Sequence, residues 1–80
     1  MYYGRSRKAI FLEDFLPKIP MGGRFSTEEA FKWFQRDYPL FKESGVRWLL
    51  RYLSDKRTKA LKDYPIVLKW VSGSEWKRIV

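Results

Sequence analysis

Two hydrophobic rhythms divide this chain. Up to about position 56 the apolar residues recur three and four apart, the spacing of a helix face, and from position 66 they gather in short β-branched and aromatic blocks. The second rhythm is the simpler. "IVLKWV", "SGS" and "EWKRIV" read as two strands about a tight turn, a hairpin over 66–71 and 75–80. Gly73 can take the positive φ that tight hairpin turns require. Connections of two and of three residues both fit, and the choice decides whether Trp76 shares a face with Trp70.

Three helices are predicted ahead of the hairpin. The first covers about 7–16, with Ser6 as its cap, Ile10, Phe11, Leu12, Phe15 and Leu16 as its apolar face and Pro17 as its end. "KIPMGGRF" is a loop by its Pro20, Gly22 and Gly23, and Arg24–Phe25 can add a short extra strand before the next helix. "STEEAFKWFQRDYP" predicts a helix over 27–38. Ser26 and Glu29 form an S-x-x-E capping box, Glu28 and Glu29 favour the positive end of the dipole, and Pro39 closes the element. Ala30, Phe31, Phe34 and Tyr38 supply its apolar positions.

In "KESGVRWLLRYLSDKRTK" Val46, Leu49, Leu50 and Leu53 fall at i, i+3, i+4 and i+7, one continuous stripe. Ala60, Leu61 and Tyr64 continue that phase, yet a longer helix would turn Arg57 toward the core. The third helix is therefore expected over 42–56. Phe11, Phe15, Phe31, Phe34 and Trp70 fall on apolar phases and are expected in the core.

Composition supports a folded unit and restricts its chemistry. Eighty residues make one domain with a modest core, here 6–80 after a basic tail at 1–5. Apolar residues are 45% and aromatics 19% of the chain, more than a disordered segment carries. The formal charge is +8, a field that draws in polyanions. Without Cys or His there are no disulfides, no thiolate zinc site and no imidazole base, so neither metal nor cofactor is expected.

Glu13–Asp14 and Glu28–Glu29 are helix neighbours that diverge by about 100°, poor geometry for a shared catalytic site, and no phosphate-cradling glycine loop is present; an enzyme is not expected. Asn is absent and Gln35 is the sole Gln, a scarcity of thermolabile residues that fits a thermophilic source. "AIFLEDFLPKIP" is too short and too polar for a signal or membrane span, so an intracellular, nucleoid-associated protein with no membrane partner is expected.

Helix, short strand, helix, helix and two-stranded hairpin is an order that resembles the winged-helix (winged helix-turn-helix) family of DNA-binding domains, an α+β fold. The likeness covers about residues 6–80. It is carried by "RFSTEEAFKWF", similar to the strand and second-helix entry, "KESGVRWLLRYL", similar to a recognition helix, and "IVLKWVSGSEWKRIV", similar to a wing. Small domains of this kind resemble regulators of plasmids and viruses of thermophilic archaea. The resemblance implies double-stranded DNA as partner, the third helix in the major groove and the wing on the flanking backbone.

With Val46 inward, rotation by about 100° per residue turns Ser44, Arg47 and Arg51 outward, flanked by Trp48. The candidate base-reading set is Glu43, Ser44, Arg47, Trp48 and Arg51. Lys42, Lys56, Arg57, Lys69, Ser72, Gly73, Ser74, Lys77 and Arg78 are candidate backbone contacts, and Arg5, Arg7 and Lys8 a candidate minor-groove arm. From position 47 to 63 six Lys and Arg outnumber two Asp, which favours DNA over a merely solvated face.

Blander readings stand beside these. Trp48 can pack against the hairpin or a second copy, hairpin cations can blunt a sheet edge, and the arm can be a solubilising terminus. A stacking platform for single strands has only Trp70, Trp76, Tyr2 and Tyr3 to draw on. Three functions follow as alternatives: a sequence-specific regulator, with a homodimer on a palindromic site as one form, a non-specific architectural DNA- or RNA-binding protein, or a protein-docking module.

Overall fold

The computed structural model describes residues 5–57 and 63–80; Tyr2, Tyr3, Lys59, Ala60, Leu61 and Lys62 lie outside the described residues. The protein is α+β. Helix α1 (Arg7–Ile10) begins at Ser6, whose hydroxyl accepts from the Ala9 N–H at 3.1 Å. It runs on into a π-helical turn (Phe11–Phe15) and a closing 3₁₀ turn (Leu16–Lys18). Strand β1 (Arg24–Ser26) leads directly into α2 (Thr27–Asp37), α3 (Glu43–Tyr52) follows, and β2 (Leu68–Ser72) and β3 (Glu75–Arg78) form the hairpin.

The π turn has a packing reason. In a regular helix, residues five apart lie about 140° apart around the axis. Here Phe11 and Leu16 are both buried, together with Ile10 and Phe15, and the Leu16 N–H reaches back to the Phe11 carbonyl. Widening the turn brings all four side chains onto one face. Pro17 sits within the closing 3₁₀ turn, one residue past the expected helix end, where its missing N–H costs nothing.

At α2 the capping box is complete. Ser26 accepts from the Glu29 N–H at 3.1 Å, and Glu29 accepts from the Ser26 N–H at 2.9 Å. Both orphaned donors are satisfied by local chemistry, which is why this boundary is readable from sequence.

The sheet is antiparallel in the order β1-β3-β2, so the expected two-stranded hairpin gains Arg24–Ser26 as a third strand. Gly73 and Ser74 form a two-residue connection, with Gly73 at φ +51°, and Trp70 pairs directly with Trp76. The two indoles therefore share a face. The inner row Phe25–Trp76–Trp70 closes over the helices; Phe25 and Trp76 are buried and Trp70 is half-buried. Phe25 stacks edge-on against Phe15 at 5.2 Å, joining the sheet to the π-helical turn.

Helix α3 ends at Tyr52, four residues before the expected Lys56. The cause lies in tertiary pairing. The Leu53 carbonyl accepts from the N–H groups of Val67 and Leu68 at 2.9 and 3.1 Å, and the Asp55 N–H donates to the Leu68 carbonyl. Buried Ser54 closes the helix by donating to the Arg51 carbonyl at 2.8 Å and accepting from the Lys56 N–H. Helix continuation loses to a chain pairing that no local pattern announces. Val46, Leu49, Leu50 and Leu53 are all buried as expected, while Phe31 and Trp70 pack on the core only partly buried.

Candidate nucleic-acid interface

The buried stripe of α3 fixes what its other side can do. With Val46 and Leu50 fully enclosed, the helix cannot roll, and Glu43, Ser44, Arg47 and Trp48 stand exposed with Arg51 half-exposed beside them. Arg47 and Arg51 are one turn apart, so their guanidinium groups lie along one ridge. Arg47 meets Glu43 at 3.7 Å, an exposed pair whose worth is at most about 1 kcal/mol. Arg51 stacks over the Trp48 ring at 5.8 Å, and Trp48 leans on Tyr52. Even so, Trp48 remains 54% exposed. Its contact is with its own helix rather than with the hairpin.

Between α3 and the hairpin lies a small cleft lined by Arg47, Arg51, Lys56, Trp70, Gly73 and Trp76. Its volume of about 150 Å³ is below the range typical of small-molecule sites. Lys56 caps it, with Nζ 3.5 Å from the centre of the Trp70 ring. Asp55 accepts from the Trp70 N–H at 3.1 Å, and Trp70 Nε1 donates to the Gly73 carbonyl at 2.9 Å. The cleft thus has a hydrogen-bonded indole as one wall and two weakly engaged arginines at its edge.

The hairpin turn is anchored. The Ser74 carbonyl accepts from both the N–H and the hydroxyl of Thr27, at 2.8 and 3.3 Å, and the Thr27 hydroxyl accepts from Trp76 Nε1 at 2.9 Å. Ser72, Gly73 and Ser74 are exposed, but the Ser74 carbonyl is tied to the start of α2 and the Gly73 carbonyl to the Trp70 indole.

Several predicted cations are occupied by the fold. Arg78 spans from β3 to the closing turn of the first helical segment, donating to the carbonyls of Leu16, Ile19 and Val80 at 3.2, 2.7 and 2.8 Å. Arg57 donates to the carbonyls of Tyr52 and Tyr64, satisfying one of the last acceptors of α3. Arg5 forks onto Asp14 and Glu13 at 2.9 and 2.7 Å. The hydrogen bond it donates to Asp14 is the main reason its guanidinium holds its proton even more firmly than usual.

Arg7 lies over Phe41 at 5.0 Å, while Lys8 donates to the Asp63 carbonyl and stacks on Tyr64. The candidate arm is folded onto the body. Lys42, exposed, precedes α3 as its N-cap without a side-chain capping bond.

Lys69 and Lys77 pair with each other across the hairpin, and Arg24 of β1 pairs with Lys77 on the other side. Arg24 was not among the sequence candidates; it is brought in by the third strand, and only its place beside a capping box hinted at a strand there. Thr27 was missed as well, because a buried hydroxyl that joins a turn to an indole leaves no spacing signal.

Among the described residues no helix is long and apolar enough to cross a membrane, and no cluster of acidic side chains suited to a metal ion occurs. Comparison with protein-family models, curated proteins and solved structures gives no match.

Proposed function

We propose that this protein is a sequence-specific double-stranded DNA-binding protein of the winged-helix kind, acting as a transcriptional regulator. The observation that carries the reading is the ridge of α3, where Ser44, Arg47 and Arg51 face solvent on a helix whose opposite side is locked in the core. An element order of helix, strand, helix, helix, strand, strand, with β3 between β1 and β2, supports it.

In this reading α3 enters the major groove. Arg47 and Arg51 offer bidentate forks to guanine O6 and N7, Ser44 donates or accepts, and Glu43 takes a cytosine amino proton. The Glu43–Arg47 pair is weak enough to yield to a better acceptor. Trp48, on the flank of the ridge, meets a thymine methyl or sugar. Lys42 and Lys56 grip phosphates at the two ends of the helix, and the small residues of the Ser72–Ser74 turn let backbone approach closely. Two copies on a palindromic operator would set half-sites about 34–36 Å apart.

Fluorescence anisotropy with a panel of duplexes, including the DNA flanking the gene, tests this across a salt series. One duplex should win by orders of magnitude, and Arg47→Ala should remove that preference at a cost of about 1–3 kcal/mol. Equal affinity for all duplexes, with Arg47→Ala and Arg51→Ala altering only the salt slope, would replace specific recognition with a backbone-only binder.

A further inference from the structure

Arg24, Lys77 and Lys69 stand side by side in register across all three strands. Strand spacing sets the length of this row at roughly 10 Å. Each is followed or preceded in its strand by a residue of the inner row (Phe25, Trp76 and Trp70), so the three cations occupy the opposite, outer face. Among the described residues none of the three forms an ion pair. Glu75 shares the face one row along, between Ser26 and Ser72, and leaves the patch net positive.

Like charges directly opposite one another destabilise a sheet, so the charge arrangement costs the fold stability. Protection of a sheet edge does not account for it, because Lys77 lies on β3, the central strand. Nor does the row extend the ridge of α3. Trp70 and Trp76 line the cleft that Arg47 and Arg51 share, and alternation sends Lys69 and Lys77 to the far side of the same hairpin.

From this geometry we infer that the outer face of the sheet is a second phosphate-binding surface, and that one copy of the protein holds a second duplex segment there while α3 holds the first. The inference rests on the DNA-binding reading above. The protein is then a bridge between DNA segments as well as a reader of one. The cations then divide by face: Lys42 and Lys56 serve the segment on α3, and Arg24, Lys69 and Lys77 serve the other.

A two-duplex capture assay tests it. A biotinylated duplex on beads is loaded with protein, and a fluorescent duplex of unrelated sequence is then added, at a protein concentration shown by sedimentation to be monomeric. Wild type should capture the second duplex. Lys77→Glu, which puts a carboxylate between Arg24 and Lys69, should melt at or above the wild-type temperature and so report on a folded protein. It should lose second-duplex capture by about tenfold or more while its affinity for the first duplex stays within about threefold.

Capture by Lys77→Glu at the wild-type level overturns the inference, as does binding of one duplex with no capture by wild type; both leave the DNA-binding reading standing. An equal loss of first-duplex affinity and capture makes the row part of the α3 site and overturns the inference too. If wild type binds no duplex at low salt, both readings fall.

Discussion

Thr27→Val isolates the hydroxyl that joins the hairpin turn to the start of α2. Valine keeps the shape and the β-branching, and position 27 is only 3% exposed, so neither a cavity nor a new solvent contact is created. Two hydrogen bonds go. The Ser74 carbonyl loses the hydroxyl at 3.3 Å but keeps the Thr27 N–H at 2.8 Å, so its loss is small. Trp76 Nε1 loses its only acceptor among the described residues, at 2.9 Å, inside a residue that is 4% exposed.

A buried donor left unpaired costs about 1–3 kcal/mol. Set against a stability of about 4–12 kcal/mol for a chain of this length, that is a large fraction. At about 4–8 °C per kcal/mol, a loss near 2 kcal/mol lowers Tm by about 8–16 °C. Urea unfolding followed by circular dichroism and tryptophan fluorescence reads the change. Thr27→Ser supplies the control, since it keeps the hydroxyl and gives up one methyl, worth about 0.8 kcal/mol. The reasoning fails if valine is as stable as wild type, or if serine falls as far as valine.

Arg78→Lys keeps the charge of β3 but loses the fork that reaches three carbonyls; unfolding should show a loss of about 1–3 kcal/mol, and the salt slope of DNA binding should not change. Gly73→Ala meets no atom within 4 Å but must hold φ +51°, so a loss of about 1–2 kcal/mol in stability is expected, read by denaturant midpoint.

The parts of this fold visible in the sequence are those whose cause is local. Ser26 and Glu29 mark the start of α2 because both capping bonds run between residues three apart, and Val46, Leu49, Leu50 and Leu53 mark α3 because a helix buries by period. Where the cause is remote, local pattern misleads. Leu53 to Lys56 has a helical composition, yet Leu53 hands its carbonyl to Val67 and Leu68, and the helix stops. The π turn at Phe11–Phe15 likewise arises from the need to bury four side chains at once, against Phe25 of another element.

The charges divide on the same principle. A count of cations treats Arg57 and Arg78 as equal to Arg47, Arg51 and Lys69, because acceptors such as the carbonyls of Leu16, Ile19, Tyr52 and Tyr64 are backbone groups with no residue type to announce them. Once those bonds are assigned, the positive field separates into cations that hold the fold and cations without a firm partner among the described residues, the exposed Arg47–Glu43 pair being weak. The second group has two addresses, the ridge of α3 and the outer face of the sheet, with the aromatic pair Trp70 and Trp76 between them. A protein that needed positive charge only for solubility could scatter it. Here Lys77 is set between Arg24 and Lys69 on the central strand, an arrangement that opposes folding and that the phosphates of the proposed second duplex would balance.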